Sequence, residues 1–135
     1  MKQPHRGEVW LVDLDAARGH EQAGKRRRLV VSIDLFNRGP AELVVMVSMT
    51  SRAKGIPWHV PVHPPQGGVQ QISFIKCEDV RSVAKERLSV RLGAVSVEAM
   101  AAVGNRLRIL LGLWRYKRYF GRRRISLPLT RVQRL

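Results

Sequence analysis

"RLSVRLGAVSVEAMAAVGNRLRILLGL", residues 87–113, contains the change of period that decides the fold. Its first part, "RLSVRLG" (87–93), is a short strand-like element. From Ser96 onward the spacing changes: Met100, Val103, Leu107 and Leu110 recur at i, i+3, i+7 and i+10, the period of one helix face. Ser96 suits the N-cap, Glu98 the positive first turn, and Gly112 the stop. The pattern predicts a helix over 96–113 with one apolar face, lying on a face or mouth of what precedes it. What precedes it is short strands. "EVWLVDL" (8–14), "RLVVSI" (28–33), "ELVVMVSMT" (42–50), "WHVPV" (58–62) and "SFIKCEDVRSV" (73–83) are rich in β-branched and aromatic residues. Pro61 confines its strand to an edge or a bulge. "PPQGGVQQ" (64–71) reads as a turn, and "DLFNRG" (34–39) as a single helical turn. Closely spaced strands with turn signals, closed by one helix, predict a mainly β fold: a small barrel or strongly coiled sheet.

The 135 residues suit one domain with a modest core, and 44% apolar residues are too many for a disordered chain. Twenty-five basic residues face 10 acidic ones, a formal net charge of +15. The excess is uneven. Residues 114–135 carry eight basic and no acidic side chains, which leaves a net of +7 on residues 1–113. The chain thus divides into a moderately basic body, 1–113, and an Arg-rich tail, 114–135. A charge of this size favours polyanionic partners, nucleic acid foremost. The single cysteine, Cys77, excludes an internal disulfide framework and reads as a buried small hydrophobe. The N-terminus does not resemble a signal peptide, and "ILLGLW" (109–114) is too short to span a bilayer. The expectation is a soluble cytoplasmic protein without a membrane partner.

No metal motif is present. His5, His20, His59 and His63 are scattered, and Pro61 denies the last two a common helical face. There is no phosphate-binding P-loop and no serine elbow, so neither cofactor nor metal is expected. Phosphate chemistry on RNA suits the remaining residues better. RNA supplies its own nucleophile, the 2′-hydroxyl. A protein must then take that proton, protonate the leaving 5′-oxygen, and stabilise charge on phosphorus. Arg suits the last role, because its planar fork matches phosphate oxygens. "RGHEQAGKRRRLVV" (18–31) sets His20 and Glu21 ahead of Lys25, Arg26, Arg27 and Arg28. By composition alone this is as easily a solvated charged loop. "SMTS" (48–51) ends an apolar strand with hydroxyls, which also suits a simple turn. In "KCEDVRS" (76–82) period-2 alternation would put Lys76 and Glu78 on one face and Cys77 and Asp79 on the other.

"RGEVWLVDLDAARGHEQAGKRR", "FNRG", "VSMTS", "CEDVRSV" and the closing "ILLGL" follow one another as in the MazF/PemK/Kid toxins of type II toxin–antitoxin systems. The resemblance covers about residues 6–113. It implies an SH3-like β-barrel of the CcdB/PemK type with a C-terminal helix, acting as a homodimer. It implies a metal-independent endoribonuclease of single-stranded RNA that leaves a 2′,3′-cyclic phosphate and blocks translation and growth. It also implies a cognate antitoxin whose acidic C-terminal segment competes with RNA for one positive groove. By that resemblance the catalytic residues are Arg26, Thr50, His20 and Glu21, with Glu78 where one branch carries an Asp. Lys25, Arg27, Arg28, Ser51 and Lys76 are the expected RNA contacts. The chain departs from the family in Lys76 and Glu78 for an Arg-x-Asp pair, in Arg27 for a Pro, and in its tail. Two other readings share these residues. A CcdB-like gyrase poison needs no Arg–Thr pair, and a non-catalytic RNA-binding protein would bind chiefly through the tail.

Overall fold

The computed structural model describes residues 2–13 and 25–113. Strands β1 (Glu8–Asp13), β2 (Lys25–Val30), β3 (Leu43–Thr50), β4 (His59–Val62), β5 (Ser73–Ala84) and β6 (Leu88–Ala94) form one sheet. Their order is β4-β5-β3-β2-β1-β6, and every neighbouring pair is antiparallel. Helix α1 (Asp34–Asn37) is one turn, and α2 (Val97–Leu110) follows β6. Ser96 caps α2, its hydroxyl accepting the Ala99 N–H at 3.0 Å. Pro61 sits exposed on β4, an edge strand, where its missing N–H costs no ladder bond.

The sheet curls until its two edges nearly meet. The 3₁₀ turn Gln66–Gly68, which follows β4, bridges them by packing on β6. Gly68 makes this closure possible. It has φ +75°, and a Cβ there would stand 2.4 Å from the Leu92 carbonyl oxygen. The result is a partly closed six-stranded barrel. Its main core joins Val9, Leu29, Val47, Val60, Val62, Ile75 and Cys77 to Val103 of α2. Trp10, Val12, Val30, Val44, Met46, Val83 and Leu88 form a second cluster. Met100 and Leu107 of α2 pack against the main core as the helix period requires.

Three sequence-based expectations are corrected. First, the strand expected at 28–33 is β2, Lys25–Val30, so Lys25, Arg26 and Arg27 form the exposed half of a strand and Arg28 opens its buried half. Pairing supplies the reason: Val12, Leu11 and Trp10 of β1 stand opposite Arg26, Arg27 and Arg28. Second, the alternation along 76–79 breaks. Val47 pairs with Val80 but Ser48 with Lys76, so Cys77, Glu78 and Asp79 fall inside a bulge. Cys77 joins the core, while the Asp79 carboxylate turns to the Ser48 hydroxyl. Third, α2 ends at Leu110, and it buries Asn105 and Arg106 beside Val103.

Candidate RNA-cleaving site

A cavity of about 440 Å³ opens where β2 and β3 run out. β2 lines it with Lys25, Arg26 and Arg27, the end of β3 with Thr50 and the adjoining Ser51, and the stretch entering β5 with Gln70, Gln71 and Ser73; Leu11 and Met49 add apolar surface. The sheet register explains why cations and hydroxyls meet. Arg28 pairs with Ser48 across β2 and β3, and the same register carried two residues further brings Arg26 level with Thr50. The apolar halves of both strands are pinned in the cores, which fixes this register. A slip of one residue would exchange Leu29 with Val30 and Val47 with Met46, side chains that belong to opposite cores.

The hydroxyl of Thr50 is oriented from its own loop. Its oxygen accepts the Arg52 N–H at 3.1 Å, which leaves the O–H free to donate toward the cavity. Arg26 lines the same cavity, and a guanidinium presents its donors in a fixed fork. An anion with several oxygens therefore meets a guanidinium, a hydroxyl and the charges of Lys25 and Arg27.

The expected site residues separate into three sets. Lys25, Arg26, Arg27, Thr50 and Ser51 are brought together at the cavity. His20 and Glu21 lie outside the described residues, as does the tail 114–135. Arg28, Lys76 and Glu78 do not line the cavity. Arg28 is only 6% exposed. Its Nη1 stands 4.0 Å from Asp79 Oδ2, and Nε and Nη1 have no hydrogen-bond partner among the described residues. Burial disfavours its charge, Asp79 supports it, and Arg81 and Arg26 oppose it. Glu78 Oε2 is 3.0 Å from His59 Nε2, and His59 is itself buried. Burial pushes the Glu78 carboxyl up, but the His59 bond and the charges of His59 and Lys76 outweigh it and hold it below its ordinary value.

Sequence reasoning missed Gln70 and Gln71, because it read "PPQGGVQQ" only as a turn, and Ser73, because it read it only as the first residue of a strand. The doubled Gln one residue ahead of a strand was the available signal. It also missed Arg106, whose Nε donates to the Pro57 carbonyl at 2.9 Å and ties the 51–58 connection to α2. Among the described residues no group of three or more His, Cys, Asp or Glu side chains is placed to hold a metal ion. No helix among them is long and apolar enough to cross a membrane.

Residues 5–111 match the family described as PemK-like, MazF-like toxin of type II toxin–antitoxin system. The chain is 38% identical over 114 residues to Endoribonuclease MazF9 of Mycobacterium tuberculosis, covering 81% of this chain and 97% of that one. It is 32% identical over 109 residues to Endoribonuclease EndoA of Bacillus subtilis, covering 80% and 94%. Among solved structures it superposes on a MazE-MazF crystal structure from Deinococcus radiodurans with a TM-score of 0.73 and 29% identity, covering 84% of this chain and 100% of that one. A mycobacterial endoribonuclease solved in complex with its cognate antitoxin gives a TM-score of 0.68 at 28% identity, covering 82% and 97%.

Proposed function

The chain belongs to the PemK-like, MazF-like toxins of type II toxin–antitoxin systems, and from that premise we propose that the Arg26–Thr50 cavity is where it cleaves single-stranded RNA. It is an endoribonuclease toxin. The observation that carries the assignment of the site is the meeting of Arg26 and Thr50 at one cavity, with Lys25 and Arg27 alongside.

The reaction follows from what these groups can do. The 2′-oxygen attacks phosphorus, its proton passes to a base, and the bond from phosphorus to the 5′-oxygen breaks. The products are a 2′,3′-cyclic phosphate and a free 5′-hydroxyl. Arg26 faces the non-bridging oxygens and stabilises the charge that grows on them, and Thr50 donates to one of them. Lys25 and Arg27 hold the flanking backbone, and Ser51 lines the cavity next to Thr50. Glu78 is engaged by His59 and does not line the cavity. That favours Glu21 for the 2′-OH proton, with His20 protonating the leaving oxygen. This sequence of steps uses protein groups and the RNA's own hydroxyl, without a metal or cofactor.

The partners follow from the same charge. A cognate antitoxin whose acidic C-terminal segment enters the positive cavity excludes RNA from it, and the toxin works as a homodimer in the cytoplasm. A CcdB-like gyrase poison has no use for the Arg26–Thr50 pair, so the cavity favours the nuclease. The test is an RNA carrying a single 2′-deoxy substitution at the cleavage site, incubated in EDTA. The account expects the all-ribose RNA to be cut to cyclic-phosphate and 5′-hydroxyl ends, and the substituted one to stay intact. Cutting of both, or of neither unless metal is added, refutes the mechanism.

A further inference from the structure

Two residues lining the cavity, Gln70 and Gln71, have no part in the chemistry above. Both are exposed and line the same cavity as the cations and hydroxyls that take the phosphate. Their amides are neutral, so they add nothing to charge stabilisation. Each carries donors beside an acceptor, the arrangement that nucleobase edges present. Single-stranded RNA is read by hydrogen bonds to the edges of unstacked bases, so amides beside a phosphate site stand where such an edge would lie.

The segment bearing them is held from several sides. Gln66 Oε1 accepts the Ser96 N–H at 2.7 Å, tying the segment to the N-cap of α2. Gly68 packs against the backbone of Leu92. Val69 is buried in the main core. Ser73, at the start of β5, donates its hydroxyl to the Gln71 carbonyl at 3.0 Å. A reader of base edges needs this rigidity, because a hydrogen-bonding group on a mobile loop discriminates poorly.

We infer that Gln70 and Gln71 are specificity-determining residues, reading the edge of a nucleobase that flanks the phosphate held by Arg26 and Thr50. The inference rests on the cavity being the RNA-cleaving site. A bidentate amide–base contact discriminates by about 5- to 150-fold against the wrong base. The fold does not depend on either side chain, since both are exposed.

The test is sequencing of cleavage sites on a long RNA in EDTA, with wild type, Gln70→Ala, Gln71→Ala and the double variant, and thermal unfolding of each as a control. The expected result is that one or both single variants relax the preference at one position beside the cut by at least about 5-fold. The preference is read from the distribution of cut sites at matched extents of cleavage. An unchanged preference in the double variant overturns the inference and leaves the cleavage site standing. Failure of wild type to cut at all overturns the site assignment instead. A uniform loss of rate with no change in preference makes the two residues part of the general RNA surface and also overturns the inference.

Discussion

Replacing Arg28 by Met separates a structural arginine from a catalytic one two residues away. Arg28 is 6% exposed, and its Nε and Nη1 have no hydrogen-bond partner among the described residues. Each such group costs about 1–3 kcal/mol, so the pair costs about 2–6. The compensation is Asp79, 4.0 Å away. At an effective dielectric of about 20 that attraction is worth about 4 kcal/mol. The Asp79 side chain is 42% exposed, however, so screening reduces the figure to about 1. Asp79 also keeps a second partner, the Ser48 hydroxyl at 2.5 Å. Met fills much of the same volume without a charge, and such replacements of buried charges are neutral or stabilising by about 1–4 kcal/mol. The expected outcome in urea denaturation is an unfolding free energy unchanged or raised by up to about 4 kcal/mol. RNA cleavage should stay within about 3-fold of wild type, well under the 1.4 kcal/mol that marks a tenfold change. A loss of stability above about 2 kcal/mol would refute the energetic reasoning. A drop in kcat/KM of more than tenfold in a folded variant would place Arg28 at the phosphate after all.

Three further outcomes follow from the packing. Gly68→Ala places a methyl 2.4 Å from the Leu92 carbonyl oxygen at φ +75°, so it should cost at least about 3 kcal/mol in denaturant titration, and a neutral result would disprove the barrel closure. Cys77 is buried and burial pushes its thiol up to about 12, so it should resist alkylation at pH 8 in the native protein and react readily in urea. Glu8 accepts from the His5 N–H, Trp10 Nε1 and Arg91 Nε at 2.9, 3.0 and 2.9 Å. Burial pushes its carboxyl up, but those three donors outweigh it and hold it below its ordinary 4.5. Its contribution is therefore present above about pH 4.5 and lost as pH falls through the lower folded value. Glu8→Gln should lower stability by about 1–3 kcal/mol at pH 7 and flatten the acid limb of the stability curve; an unchanged acid limb would contradict this.

The strand and helix pattern was legible because its signals are local. β1, β3, β4, β5 and β6 fall within a residue or so of the runs at 8–14, 42–50, 58–62, 73–83 and 87–93, and Ser96 caps the helix as its position foretold. β2 was misplaced because periodicity sees only the buried half of a strand. Lys25, Arg26 and Arg27 are extended through pairing with β1, a partner far enough away in sequence to leave no local trace. The bulge at Cys77–Asp79 was invisible for the same reason, and with it the turn of Asp79 toward Ser48. Arg26, Thr50 and Ser51, which line one cavity, were proposed through family resemblance rather than through composition, which describes a solvated cation run equally well. The bundling of Gln70 and Gln71 with them depends on how the barrel closes, and the His59–Glu78 pair depends on the β4–β5 register.

The central claim is that Arg26 acts at the scissile phosphate and that its neighbours in the cation strand do not replace it. The direct measurement is single-turnover cleavage of a fluorogenic RNA in EDTA by Arg26→Ala, with the thermal unfolding of that variant recorded alongside. Arg26 is an exposed strand residue, so the fold should survive. The rate should fall by at least about 100-fold, the scale of losing one preorganised donor to a developing oxyanion. A folded Arg26→Ala protein that cuts at the wild-type rate would contradict the central claim.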